Sequence, residues 1–178
     1  MSQENIRIVM VGSLYGGNVG SACRAMANMG ISSLRLVSPA AVLDWSEATK
    51  MAVHADAILG RRETFSTLAE AVADCVAVVG TTARHGLYRQ TAKTPRDVAS
   101  EITALSDSGP VALVFGREDK GLLNDEIALC THLVQIPTST DYSSLNLAQA
   151  IMVLCYELFI TQGHYEPVRE KAELAPAA

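Results

Sequence analysis

Four stretches of this chain combine small, polar and charged residues in patterns able to handle a ligand. They are Gly12 to Met26 with Asn18 and Arg24, Gly80 to Gly86 with Thr81, Thr82 and Arg84, and Phe115 to Glu126 with Gly116, Arg117, Glu118 and Gly121. The last, Thr138 to Asn146, places the hydroxyl residues Thr138, Ser139, Thr140, Ser143 and Ser144 ahead of Asn146. Amide, hydroxyl and carboxylate groups orient a hydroxyl or a ligand heteroatom, an arginine meets a phosphate or a developing anion, and glycine lets backbone N–H groups approach closely. Each stretch also has a plainer explanation. Asn18 suits a helix N-cap, Arg24 a solvated helix charge, Thr81 and Thr82 a turn, and Ser143 the N-cap of the helix that follows. Glu118, between two glycines, either holds a ligand hydroxyl or fixes its own loop by accepting backbone N–H bonds.

Several chemistries are excluded by spacing. The glycines after Val11 do not read GxGxxG, the second strand ends Leu36-Val37-Ser38-Pro39 without an acid for a ribose hydroxyl, and no lysine follows Gly20. Dinucleotide and Walker-type phosphate loops therefore fail, and a Rossmann-type reductase with them. His54, His85, His132 and His164 have no metal-ligand spacing, and no Ser-His-Asp or Cys-His context is present. Cys23, Cys75, Cys130 and Cys155 are far apart in apolar surroundings and read as core, which gives neither a zinc site nor a disulfide framework. No metal is expected.

The elements that must position these loops are legible as an alternation. Ile6 to Val11, Leu34 to Val37, Val76 to Val79, Val111 to Phe115 and Leu133 to Ile136 are short β-branched runs typical of strands buried on both faces, with a weaker one at Ala57 to Leu59. Helical patterns lie between them at about 19–29, 46–53, 66–73, 94–105, 124–130 and 143–160. The fold class expected is α/β, a Rossmann-like parallel sheet with helices on both faces. Ligands of such sheets bind at the carboxyl ends of the strands, where all four stretches fall. Residues 1–162 read as one domain. Residues 163–178 read as a charged tail, either the end of a minimal protein or the stump of a longer C-terminal extension.

The chain has 178 residues, 49% apolar and 19% charged, with a formal net charge of −5. No global field favours nucleic acid, so such a partner needs a local basic patch, with Arg61, Arg62, Arg84, His85, Arg89, Lys93 and Arg96 as candidates. Aromatics at 5% disfavour a base-stacking platform. Without a basic leader or an unbroken run of about eighteen apolar residues, a cytoplasmic protein with no membrane contact is expected.

Taken together, the loops resemble something that none of them resembles singly. Asn18-x-Gly20-Ser21-x-x-Arg24-Ala25-Met26, Leu113-Val114-Phe115-Gly116-Arg117-Glu118 with Gly121-Leu122, and Ile136-Pro137 followed by Tyr142-Ser143-Ser144-Leu145-Asn146-Leu147-Ala148 are similar to the three ordered motifs of the SPOUT-class RNA 2′-O-ribose methyltransferases, SpoU (TrmH) branch. The resemblance covers about residues 5 to 160. With Gly80-Thr81-Thr82-Ala83-Arg84 between the motifs, it is strongest to the TrmJ group, which methylates cytidine or uridine 32 of the tRNA anticodon loop. Another tRNA or ribosomal RNA site is the alternative. A knotted dimer that binds RNA or an adenosine-containing ligand without turnover is the alternative of a different class.

The resemblance implies a deep C-terminal trefoil knot, a homodimer, and S-adenosylmethionine as cofactor, leaving as S-adenosylhomocysteine. It implies a cofactor site at Thr81, Thr82, Phe115, Gly116, Gly121, Ile136, Ser144, Leu145 and Asn146. Catalytic roles pass to Arg24, Asn18, Glu118, Ser144 and Asn146. Arg24 stabilises the developing alkoxide and clamps an RNA phosphate, because a guanidinium is not deprotonated in proteins. Ser144 and Asn146 orient the hydroxyl or the cofactor, and Glu118 holds its loop and Arg24. Arg24, Arg84, Arg89, Lys93, Arg61, Arg62 and Arg117 are the expected tRNA-binding residues, and all but Arg24 are expected around one cleft.

Overall fold

Strand β1 (Ile6–Val11) alternates its side chains between two cores, and the rest of the chain is arranged around that fact. Ile6, Ile8 and Met10 enter the larger core, whereas Val9 and Val11 enter the smaller one on the opposite face. In this computed structural model, which describes residues 3–83 and 92–166, β5 (Val111–Phe115) repeats the alternation. Val111, Leu113 and Phe115 face one way, Ala112 and Val114 the other. A strand wanted by both faces has no polar side, which is why β5 is apolar throughout and β1 is apolar at every position but Arg7, near its start.

The remaining strands are β2 (Ser33–Val37), β3 (Glu63–Phe65), β4 (Ala77–Thr81) and β6 (His132–Val134). The six lie in the order β3-β2-β1-β5-β4-β6, every pairing parallel. The chain builds outward from β1 through β2 to β3, then crosses to fill the other half. β1 and β5 therefore flank the switch point, where the loops leave the sheet in opposite directions and open a crevice.

Helices α1 (Gly16–Asn28), α5 (Pro95–Ser106) and α7 (Leu147–Gln162) cover the larger core, together with α2 (Trp45–Ala52) and α3 (Asp56–Gly60). Two short helices, α4 (Leu68–Ala71) and α6 (Asn124–Ala128), cover the smaller one. Close approach fixes α1 against α2. A Cβ on Gly20 would lie 2.1 Å from the Ala48 carbonyl oxygen, so only glycine fits there.

Beneath the smaller core, Arg35 of β2 is almost fully buried. Its guanidinium donates to both Asp74 carboxylate oxygens at 2.6 and 2.9 Å, to the Ala71 carbonyl at 2.7 Å and to Glu63 at 3.3 Å, and it lies 5.6 Å from the Phe65 ring. These contacts pin α4 and β3 to the sheet edge. The Asp74 carboxyl is held down at about 2, chiefly by the Arg35 hydrogen bond.

The expected strands and most helices are present, with three corrections. Ala57 to Leu59 is not a strand but the middle of α3, with Ile58 and Leu59 buried. Three apolar residues carry no usable period, and the neighbouring edge strand is instead the polar Glu63–Phe65. Helix α1 begins at Gly16, so Asn18 sits in its first turn and Tyr15 occupies the N-cap. Helix α7 begins four residues after Ser143, with Asn146 as its N-cap.

Candidate active site

The loop after β5 is closed on itself. Arg117 and Gly121 exchange backbone hydrogen bonds at 3.2 and 2.8 Å, and Gly121 takes φ +67° to make the turn. A Cβ on Gly116 would stand 2.1 Å from the Gly121 carbonyl carbon. Glycine at both ends is therefore a steric requirement, and Glu118 is held at the top of the closed loop.

From there Glu118 reaches the loop after β1. Leu14 N–H donates to its Oε2 at 3.0 Å and the Asn18 side-chain amide donates to its Oε1 at 3.2 Å. Asn18 in turn accepts at Oδ1 from the Asn146 amide at 3.0 Å, while Asn146 Oδ1 caps α7 by accepting from Gln149 N–H at 3.2 Å. One polar chain thus runs from β1's loop through Glu118, Asn18 and Asn146 into α7. It joins all three motif loops at the β1/β5 switch point. Glu118, expected to hold its loop and Arg24, accepts within one chain from Leu14 and Asn18 and ties its loop to the one after β1. Arg24 lies two turns along α1 from Asn18, about 9 Å by helix rise, and is exposed without a hydrogen bond or ion pair among the described residues.

Two hollows open on either side of this chain. One is lined by Thr81, Thr82, Phe115, Gly116, Gly121, Ile136 and Leu145 of the expected cofactor site, joined by Ala83, Arg117, Glu118, Ser143, Leu147 and Ala150. Ser144 and Asn146 do not line it. They line the neighbouring hollow with Tyr15, Gly17, Asn18, Ser21, Glu47, Met51 and Tyr142, and the two hollows share Glu118, Leu145 and Leu147. The late start of α7 explains the split. Ser143 to Asn146 run outside the helix, so that Ser143 lines the first hollow, Ser144 and Asn146 the second, and Leu145 both. Ser143, Leu147 and Ala150 were missed because a cap at Ser143 would have wound them into an ordinary helix face. Thr81 spends its hydroxyl proton on the Val114 carbonyl at 3.0 Å, leaving its oxygen as an acceptor.

The first hollow suits an adenosine-containing sulfonium in its donor chemistry. Phe115, Ile136, Leu145, Leu147 and Ala150 give apolar walls for a base, the extended Ile136 and Ser143 to Leu145 segments give backbone groups for its edge, and Thr81 and Glu118 give acceptors for hydroxyl or ammonium donors. No thiolate competes for such an electrophile. Burial pushes the Cys23 and Cys155 thiols up to about 12, and Cys75 and Cys130, only half-buried rather than core, up to about 11.

Among the described residues, Arg61, Arg62, Lys93 and Arg117 of the expected basic cleft do not gather in one place within one chain. Arg61 and Arg62 precede β3 at one edge of the sheet, with Arg62 stacked 4.1 Å over the Trp45 ring. Lys93 pairs along β6 at the other edge and its ammonium is 2.9 Å from Glu101. Arg117 turns inward to Glu126, at 2.7 and 3.1 Å, and this pair braces the β5 loop against α6. Arg84 and Arg89 lie outside the described residues. Among the described residues, no helix is long and apolar enough to cross a membrane, and no group of three His, Cys, Asp or Glu side chains is placed to hold a metal ion.

Residues 5–156 match the model of the SpoU rRNA Methylase family. The tRNA (cytidine/uridine-2′-O-)-methyltransferase TrmJ of Yersinia pestis is 42% identical over 174 residues, covering 96% of this chain and 67% of that protein. The crystal structure of TrmJ from Z. mobilis superposes with a TM-score of 0.81 at 38% identity, over 93% of this chain and 72% of the other. A probable methylase family protein from Haemophilus influenzae gives a TM-score of 0.84 at 37% identity, over 95% and 73%.

Proposed function

Because the chain belongs to the SpoU rRNA Methylase family, we propose that it methylates the ribose 2′-hydroxyl of a tRNA pyrimidine, cytidine or uridine 32 of the anticodon loop, using S-adenosylmethionine. The observation that carries this reading is the polar chain from Glu118 through Asn18 to Asn146, which ties three motif loops around two adjoining hollows. One hollow fits the cofactor, the other a nucleotide. The TrmJ relatives named above act on cytidine and uridine in tRNA, which supports the substrate.

When bound, the cofactor supplies a methyl group on a positively charged sulfur, whose charge disappears on transfer. The protein's part is positioning and charge management. Holding the 2′-hydroxyl in line with that methyl is worth up to roughly 7–11 kcal/mol in favourable cases. Ser144 and Asn146, on the nucleotide side of the shared wall, orient the hydroxyl, and Asn18 and Glu118 hold Asn146 and the wall itself. Arg24 stabilises the alkoxide as the proton leaves to an RNA phosphate or water.

Arg24's exposure and its distance from Asn18 favour an active site completed by a second copy of the chain, giving a homodimer. Helix α7 supports this. It is apolar on nearly every face, and Tyr156 and Ile160 remain exposed on it. The reading includes a trefoil knot, with the segment between β6 and α7 threaded beneath an earlier loop.

The test is transfer of labelled methyl from S-adenosylmethionine to tRNA transcripts, followed by nuclease mapping of the ribose-methylated nucleotide. A single alkali-resistant 2′-O-methyl pyrimidine in the anticodon loop is expected. Cofactor binding without transfer to any tRNA or ribosomal RNA would leave the non-catalytic binding reading instead.

A further inference from the structure

The chain is poor in aromatics, yet two of its five tyrosines stand on the rim of one hollow. Tyr15 is 60% exposed and Tyr142 is 78% exposed, and neither ring has a stacking partner among the described residues. Tyr15 holds the N-cap of α1, a position that favours Ser, Thr, Asp or Asn, and makes no side-chain cap bond there. Tyr142 is presented by a tight turn in which its N–H donates to the Ser139 carbonyl at 3.3 Å. Rings left mostly in water at these positions bury little of their surface in the fold.

The hollow they flank has a volume of about 660 Å³, roomy enough for a nucleoside, and it adjoins the cofactor hollow through Glu118, Leu145 and Leu147. Its walls are not basic. Lys93 and Arg117 are engaged by Glu101 and Glu126, and the chain carries a net charge of −5. Grip on the base inside this hollow therefore comes from contacts other than ion pairing, which leaves the phosphates to Arg24 and the other basic residues.

Resting on the methyltransferase reading above, we propose that Tyr15 and Tyr142 form the stacking platform that holds the base of the target nucleotide, with its ribose toward Ser144 and Asn146. Stacking recognises the π-face that every base has, so this platform accepts cytosine and uracil alike.

The experiment measures methyl transfer kinetics on tRNA for Tyr15→Ala, Tyr142→Ala, the two Phe variants and the two Leu variants, with cofactor affinity by calorimetry and melting temperature alongside. A second substrate carries an abasic ribose at the target position and keeps its 2′-hydroxyl. Each Ala and Leu variant should raise KM about ten-fold, with cofactor affinity and the salt dependence of tRNA binding unchanged, and the Phe variants should retain wild-type KM. The abasic tRNA should lose as much with the unaltered protein, and the Ala variants should lose nothing further on it. Unchanged KM in both Ala variants, Phe variants as impaired as Ala, or loss of cofactor binding along with transfer would each overturn the platform. Absence of transfer by the unaltered protein would overturn the methyltransferase reading, and the platform with it.

Discussion

The Asn146 side-chain amide donates to Asn18 Oδ1 at 3.0 Å, joining residues 128 positions apart. With its other end Asn146 caps α7. The same side chain therefore starts a helix and fastens that start to α1 and, through Asn18, to Glu118. The two duties separate by substitution. Asn146→Asp keeps an oxygen for Gln149 N–H but cannot donate to Asn18, so the melting temperature should stay near wild type while methyl transfer falls about ten-fold. Asn146→Ala should lose about 1 kcal/mol of stability as well. Denaturant melts beside initial rates distinguish them, and equal rates for Asn146→Asp and wild type would show that the tie has no part in catalysis.

Glu118→Ala should destabilise the protein by about 1–3 kcal/mol, because it leaves Leu14 N–H and the Asn18 amide without their acceptor. Glu118→Gln retains an acceptor for one of them and should recover part of the loss. Urea midpoints check the order, wild type above Gln above Ala.

Arg117, an expected RNA contact, is bonded to Glu126 in this structure, which assigns it a bracing role that can be tested. Arg117→Ala should lower stability by about 2 kcal/mol, since Glu126 is buried and loses its counter-charge. The salt dependence of tRNA binding should keep its slope. A shallower slope with an unchanged melt would return Arg117 to the RNA surface.

The Arg35 hydrogen bonds hold the Asp74 carboxyl at about 2 in the folded protein, below its ordinary 3.8. A carboxylate whose folded pKa is depressed contributes stability that is complete above about pH 4 and is lost as pH falls toward 2. Acid unfolding of wild type should therefore steepen across that window, and Asp74→Asn should flatten it. Parallel curves for the two proteins would contradict the assignment.

Much of this was legible in the chain itself, for physical reasons that also mark its limits. β1 and β5 are buried on both faces, so the pattern of their side chains is a local property. The three motifs are local too, and each lies at a strand's carboxyl end. Asn18 and Ser143 were misplaced because each looked like a helix cap, and helix starts here are set by distant partners. Gly16 is drawn into α1 by packing on α2, and Asn146 takes the cap because it can also reach Asn18. Arg117 and Lys93 looked like free charges because their partners, Glu126 and Glu101, lie nine and eight residues on, across turns that show no period. Tyr142 stood in the third motif without an assigned role and Tyr15 carried no signal, because exposure beside one hollow is something only the fold supplies.

The central claim, methylation of a ribose 2′-hydroxyl at pyrimidine 32 of tRNA, is tested most directly by single-turnover transfer to two otherwise identical tRNAs, one ribose and one 2′-deoxyribose at that nucleotide. The account predicts one methyl group per ribose-containing tRNA, none on the deoxy substrate, and loss of transfer in Arg24→Ala. Equal methylation of the two tRNAs would contradict it.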